Sequence, residues 1–438
     1  MNTVVDGLNE IFIQDAVIKL HNNGIINLKK WFVYEDNFSQ IDAKFQNVLV
    51  HWRNIICSDM PDYKIRYICP EKIRKQLESN FDNYHEQIYR ESYFTNISDV
   101  DFINIIDLLI NYCYSLIVVE KIELIIFHEA PHGVYSKIMY DLAKTLNVKT
   151  LVFFTCFGIN RTAYCWDLND IGIWKYNKPL INSNCNLNNI DKHENSTSNY
   201  KCVYNKIKKY ENTYDWLFKH IVKNVSNFYY KKQDEYYKNK YFKYEFDDNI
   251  NFVYVPLHVQ PEMTTATLGG KYYDQLLAIE RLSEIIPENW IIYVKEHPAQ
   301  KDYRWRGKYF FERLSRIPKV KCLKNNISTK ELLKKCQFVS TITGTAGFEA
   351  INAGKPALVF GHVWYSFLPG VSKYYDGISV EEIQKLFDNK LIDTKLKEME
   401  KYCINSIVCA DHLKDNFDQI TNNVNLISII KFLLKGDY

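Results

Sequence analysis

The chain has 438 residues, is 47% hydrophobic and 24% charged, and carries a formal charge of +3. That length suggests two or three domains with ordinary globular cores. A charge so near zero argues against a non-specific nucleic-acid binder, which shows a basic bias or stripe. The 11 cysteines form no CxxC pair and are odd in number. They read as reduced thiols acting as small buried hydrophobes, not as a disulfide framework. Met1 to Glu10 lacks a basic and then apolar leader, and no apolar run of about 18 residues is visible, so neither a signal peptide nor a membrane span is expected.

In chain order, Leu8 to Leu20 has helical spacing, and Trp31 to Tyr34, Asn47 to Trp52 and Ile65 to Cys69 read as short strands. Phe102 to Val119 is apolar at helical spacing. Leu124 to Phe127 is a buried strand, Tyr135 to Leu146 a helix, and Lys149 to Phe154 the next strand. Residues 182–199, rich in Asn, Ser and Asp, read as a loop, and Tyr204 to Tyr241 as one or two charged helices.

A second alternating region follows. Its expected strands are Phe252 to Leu257, Trp290 to Val294, Val320 to Leu323, Phe338 to Ile342 and Ala357 to Phe360. Its expected helices are Tyr272 to Ile286, Lys308 to Ser315, Ala346 to Ala353, Val380 to Phe387 and Gln419 to Leu434. Ser328 with Glu331 three residues on has the spacing of a capping box. Alternating strands and helices imply parallel sheets with crossover connections. The expected fold class is α/β, GT-B-like, with two Rossmann-like domains facing a central cleft. The first spans residues 1–250 with a helical insertion near 182–245, and the second spans 251–438 with closing C-terminal helices.

Open α/β sheets bind ligands beyond the carboxyl ends of their strands, so residues just after strands are the candidates. Ser340, Thr341, Thr343, Gly344, Thr345 and Gly347 lead into a helix. A helix N-terminus favours an anion, glycine permits close backbone approach, and the hydroxyls add donors. No Gly-Lys-Ser/Thr follows, so this is not a Walker A loop. The alternative is an ordinary turn with a threonine cap. His297 and Pro298 end another strand, with proline fixing the exit and histidine presented to a phosphate; a plain surface turn is the alternative. Glu262, with Thr264 and Thr265, follows the first strand of the second half as a candidate ligand contact, with a simple turn as the alternative.

Glu129 and His132 lie in His128-Glu129-Ala130-Pro131-His132, after a strand of the first half. A carboxylate and imidazoles so close make an acid/base set; helix capping by Glu129 is the alternative. The string matches HExxH, but that zinc motif needs both histidines on one helix face. Pro131 inside it, directly after a strand, opposes a regular helix. No metal site is expected.

The strings Val255-Pro256-Leu257, Gln260-Pro261-Glu262, Asp274-Gln275-Leu276-Leu277, Tyr293-Val294-Lys295-Glu296-His297-Pro298, Gly344-Thr345-Ala346-Gly347-Phe348-Glu349-Ala350 and Gly354-Lys355-Pro356 together resemble bacterial capsule polysaccharide biosynthesis proteins. The resemblance is strongest over about residues 250–362. It implies a GT-B transferase of a CMP-activated nonulosonic acid such as Kdo, with kinship to bacterial sialyltransferases, whose HP motif is followed by a Ser/Thr pair. It implies His297 and the Ser340-Thr341 pair at the CMP phosphate, with Gly344 and Thr345 supplying backbone contacts. Glu129 and His132 would then sit near the anomeric carbon. Glu129 would act as nucleophile or base according to stereochemistry and His132 in proton transfer, with Glu262 the rival carboxylate.

A monophosphate leaving group needs no pyrophosphate-bridging metal, so no cofactor is expected beyond the CMP-sugar substrate. The expected acceptor is a saccharide or lipid-linked saccharide. The location implied is cytoplasmic, with the Lys/Tyr-rich stretch 204–243 either touching the inner membrane or serving as a solvated helix face. Two other readings stay open: a GT-B enzyme using a UDP- or GDP-sugar, as transferase or epimerase, and a non-catalytic capsule assembly partner.

Overall fold

The computed structural model describes residues 1–7, 11–33, 43–51, 55, 65–90, 99–159, 161–173, 228–247, 249–302, 305–385, 389–400, 403–405, 427, 430–431 and 433–434. Two sheets organise it. The first contains β1 (Asn2–Asp6), β2 (Asn27–Val33), β3 (Leu49–His51), β4 (Leu124–Phe127), β5 (Lys149–Cys156) and β6 (Arg161–Cys165). The second contains β7 (Phe252–Pro256), β8 (Ile291–Lys295), β9 (Val320–Cys322), β10 (Phe338–Thr341), β11 (Ala357–Val359) and β12 (Val371–Lys373). Last comes β13 (Ile404–Asn405).

The second sheet has the order β12-β11-β10-β7-β8-β9 and is parallel throughout. That is the doubly wound order of a dinucleotide-binding half, with its switch point between β7 and β10. The first sheet runs β13-β6-β5-β4-β1-β2-β3. Its parallel part switches between β1 and β4, where Asp6 stands opposite Phe127, and β6 is antiparallel to β5. Both switch points open at strand carboxyl ends. Strands covered on both faces need near-continuous apolar runs; β4 is buried at all four positions, as is β10.

The halves meet through these edges, giving the GT-B-like arrangement. One apolar cluster joins Phe127, Ile138 and Phe154 of the first half to Phe348, Trp364 and Tyr365 of the second. At Gly158 (φ +97°) the β5–β6 turn approaches helix Thr345–Asn352 so closely that an added Cβ would lie 2.8 Å from the Phe348 ring. On the other face of the first sheet, helix Ile11–Asn22 packs with Trp31, Phe153, Ile430 and Leu433.

Several sequence expectations change. Ile65 to Cys69 is not a strand: Tyr67 and Ile68 are exposed, and the backbone N–H groups of Arg66 and Cys69 are taken by Ser115 Oγ and Asn111 Oδ1 of helix Asp99–Val119. The expected Tyr272 to Ile286 helix breaks at Asp274, whose carboxylate caps Gln275–Ile285 by accepting from Leu276 N–H at 3.1 Å. Ser328 does hold the N-cap position of Thr329–Lys335, but its side chain makes no capping bond. The strand read over Asn47 to Trp52 is Leu49–His51 after a 3₁₀ turn, Ala43–Val48.

The chain does not stay in the second half after 251. Ile404–Asn405 pairs antiparallel with β6 of the first sheet, and Ile430 and Leu433 join the first-half core. The 182–199 loop, most of 204–241 and most of Gln419 to Leu434 fall outside the described residues. One described stretch, Asp101–Val119, is apolar and long enough to cross a membrane by composition, where none was expected. More than half of it is buried within the fold, with Leu109, Ile110 and Cys113 fully covered.

Candidate functional site

At the switch point of the second sheet the central side chain is His258, two residues beyond β7. Its ring is buried, and Nε2 lies 2.9 Å from Thr341 Oγ1 and accepts the backbone N–H groups of Ile342 (3.2 Å) and Thr343 (3.4 Å). Accepting from two amides places the proton on Nδ1. Burial pushes its pKa down to about 3, helped by the fields of His297 and Arg306. Desolvation without a carboxylate partner holds an imidazole neutral. Gln275 fixes the loop from below, accepting His258 N–H at 2.7 Å.

The β10 end is therefore pinned from within. Thr341 Oγ1 also accepts Gly344 N–H at 3.1 Å, and Gly344 is the N-cap of helix Thr345–Asn352. Thr343 donates its hydroxyl to Thr264 O at 2.6 Å. Ser340 and Thr341 are 2% and 3% exposed. Their place is inside the sheet edge, where Thr341 shapes the turn, so the expectation that this pair meets a phosphate directly changes. Gly347 is also reassigned: an added Cβ would lie 2.3 Å from Tyr365 Oη, so its bareness admits a tyrosine that donates to Gly344 O. Gly344, Thr343 and the exposed Thr345 form the accessible part of the helix start.

His297 follows β8. Its Nδ1 accepts Ala299 N–H at 3.1 Å, which leaves Nε2–H as a donor. Burial lowers its pKa, against the opposing fields of Glu296 and Glu262. It is thus a neutral donor near neutral pH. Pro298 is exposed and opens the 3₁₀ turn Pro298–Asp302. Behind His297, Glu296 accepts its backbone N–H at 2.7 Å and pairs with Arg306, both side chains being 2% exposed. Arg306 Nη2 also donates to His258 O at 2.7 Å. One guanidinium thus ties the β7 end to the β8 end.

Glu262 caps the short helix Met263–Ala266: its Oε2 accepts Thr264 N–H at 2.9 Å and the Thr264 hydroxyl. At the far end of that segment, Thr267 crosses between halves. Its hydroxyl donates to Pro131 O at 2.6 Å and accepts from Gln87 Nε2 at 2.7 Å. Pro131 belongs to the loop of Glu129 and His132, whose Oε1 and Nδ1 are 3.3 Å apart with side chains 30% and 25% exposed. That loop runs as bends after β4, so His128 and His132 share no helix face. Among the described residues no cluster of three or more metal-ligating side chains occurs.

The expected residues therefore fall into three groups. His297, Glu262 and the Thr343–Thr345 turn gather around one switch point; Glu129 and His132 stand on the opposing loop, tethered through Thr267; Ser340, Thr341 and Gly347 support from the interior. Sequence reasoning missed His258, Arg306, Thr267 and Tyr365. Only the position of His258, just past a strand end, offered a signal.

Comparison with known proteins adds three observations. No functionally curated protein matches this chain. Solved structures resemble it distantly: Thermosulfurimonas dismutans KpsC, beta Kdo 2,7 transferase (13% identity over 78% of this chain and 95% of that one, TM-score 0.31), and its beta Kdo 2,4 transferase (14%, 59% and 74%, TM-score 0.27). The UDP-GlcNAc 2-epimerase of Neisseria meningitidis is similar at 13% identity, with TM-score 0.21 and 100% and 99% coverage. Likenesses this remote carry no chemistry across. The capsule polysaccharide biosynthesis protein family, however, matches residues 175–405, just over half of the chain, and the protein belongs to that family.

Proposed function

We propose that the protein is a glycosyltransferase that moves a nonulosonic acid, Kdo- or sialic-acid-like, from a CMP-sugar to a saccharide or lipid-linked saccharide acceptor. The observation that carries this reading is the pairing of a neutral His297 Nε2–H donor with the helix start at Gly344–Thr345 on one sheet edge, opposite a Glu129–His132 pair held by Thr267. Family membership supports capsule sugar chemistry as its setting.

In this reading the donor phosphate lies against the first turn of Thr345–Asn352, where unpaired amides and the helix dipole favour an anion, and takes a hydrogen bond from His297. The bond from the anomeric carbon to the phosphate oxygen breaks and CMP leaves with the electron pair. The positioned donors stabilise the charge that develops on it. The acceptor oxygen forms the new glycosidic bond and surrenders its proton. His132, oriented by Glu129, is the candidate to receive it. A carboxylate near the oxocarbenium-like centre stabilises it; Glu129 fills that place, with Glu262 the competitor, since the field of Glu262 reaches His297.

Calorimetric titration with CMP, UDP and GDP, repeated with His297→Ala, tests this. The expected outcome is saturable CMP binding that weakens about 10- to 100-fold in the variant, the scale of one hydrogen bond to a charged group. Preference for UDP or GDP would redirect the assignment to another nucleotide-sugar. No binding by folded protein would favour a non-catalytic role.

A further inference from the structure

The helical segment 228–241 and the turn after it carry side chains that the transfer chemistry leaves unused. Residues 228–244 include eight aromatics and five lysines against Asp234 and Glu235. The inner side is accounted for: Tyr237 stacks on Phe311 with centroids 6.5 Å apart, and Phe242 meets the same ring edge-on at 6.2 Å. The outer side is not. Phe228, Tyr229 and Tyr236 are 65%, 60% and 61% exposed. At 100° per residue these three span an arc of about 100° on the helix, with Lys232 inside it and Lys240 about 20° beyond its edge.

Both acids are occupied. Asp234 turns inward and accepts Arg306 N–H at 3.0 Å. Glu235 is paired with Lys232 at 3.1 Å. That pairing takes up Lys232 as well, so the positive charge beside the exposed aromatics rests on Lys231, Lys238, Lys240 and Lys243, all but Lys238 exposed. Tyr309, on helix Lys308–Arg316, is likewise 77% exposed.

We propose that this face docks on an anionic lipid bilayer. Tyrosine and phenylalanine settle at the headgroup boundary, and lysines beside them gain from the negative surface potential. An apolar-and-basic helix face lying in the interface plane has this composition. Charge complementarity selects the bilayer over a neutral protein surface. The near-neutral chain as a whole, +3 over 438 residues, disfavours a polyanion such as RNA, which draws on a broad basic field. The inference does not depend on the identity of the sugar donor. Its bearing on function is spatial: Asp234 joins the docking helix to Arg306 and so to the His297 edge, which sets the donor half at the membrane where a lipid-linked acceptor resides.

The test is sedimentation of the full chain with phosphatidylcholine vesicles, with and without phosphatidylglycerol, at low and high salt. Two variants accompany it, Phe228→Ser/Tyr229→Ser/Tyr236→Ser and Lys231→Gln/Lys240→Gln/Lys243→Gln. The expected result is binding only to the anionic vesicles, weakened by salt. Partitioning should fall on the order of a hundredfold in the lysine variant, at about fivefold per lysine, and about tenfold or more in the aromatic one. Thermal midpoint and nucleotide binding should be unchanged in both, which separates this result from the fate of the transferase assignment. Absence of vesicle binding, equal binding to neutral vesicles, unchanged binding by both variants, or binding to single-stranded oligonucleotide without binding to vesicles would each overturn it.

Discussion

Arg306 grips Glu296 through two parallel hydrogen bonds, Nε to Oε2 at 2.8 Å and Nη2 to Oε1 at 2.7 Å, with both side chains almost fully buried. A bidentate pair of this kind fixes direction as well as distance. Because Glu296 also receives His297 N–H and Arg306 also reaches His258 O, the pair sets the spacing of two strand ends.

Removing one partner leaves a buried charge. Arg306→Met is expected to cost about 3–5 kcal/mol, whereas replacing both partners by apolar residues costs much less. Urea unfolding of Arg306→Met, Glu296→Met and the double variant checks this. A double variant as unstable as the sum of the two singles would show that the pair is not one energetic unit.

The buried histidines set an acid limit. His258 is pushed down to about 3 and His362 to about 4, chiefly by burial. Both are neutral in the folded state where the unfolded chain would already be protonated. Their contribution is whole above the ordinary histidine value near 6.5 and is lost as pH falls from there toward 4 and then 3. Each steepens the loss by about 1.4 kcal/mol per pH unit. Asp234, Glu349 and Glu400, raised by burial, pull the other way at lower pH. Stability should therefore drop between pH 6.5 and 5, and His258→Gln should lower that slope by about one proton. An unaltered slope in the variant would refute the assignment of His258 as the neutral acceptor.

Much of this fold was readable in the chain because parallel strands covered on both faces need unbroken apolar runs, such as Leu124-Ile125-Ile126-Phe127 and Ile291-Ile292-Tyr293-Val294. What escaped depended on distant partners. β1 (Asn2–Asp6) and β6 (Arg161–Cys165) mix polar with apolar residues and do not stand out without their neighbours. Ser340 and Thr341 look like surface hydroxyls in sequence, yet a covered strand hides both faces, and Thr341 is consumed by a histidine 83 positions away. The placement of Glu129, His132, Glu262 and His297 at sheet edges was legible because each follows a strand or its turn. Arg306 was not, because nothing local marks a residue whose task is to hold two other loops.

Gly347→Ala addresses the reassigned glycine. A methyl there would press on Tyr365, which must move and release Gly344 O. Overpacking of this sort costs about 1–3 kcal/mol. Thermal unfolding should show the loss, and Tyr365→Phe should make the alanine less costly by removing the clashing oxygen. If Gly347 instead served only phosphate approach, stability would hold and nucleotide affinity alone would fall.

Thr267→Val isolates the contact between halves. The substitution keeps volume and removes a hydroxyl that serves Pro131 O and Gln87 Nε2 together, leaving buried polar groups without their partner. That costs about 1–3 kcal/mol per orphaned group. The larger consequence is positional, since Pro131 sits between Glu129 and His132, while the Thr267 hydroxyl bonds to Pro131 O and Gln87 Nε2 rather than to His297. On the proposed transfer, CMP affinity measured by calorimetry should therefore stay within about twofold of the parent, and turnover of a saccharide acceptor should fall on the order of 100-fold, the cost of misplacing a reacting group. Equal losses in nucleotide affinity and turnover would mean that the Glu129–His132 loop and the nucleotide edge respond as a single body, and the division of labour between the two halves would then have to be abandoned.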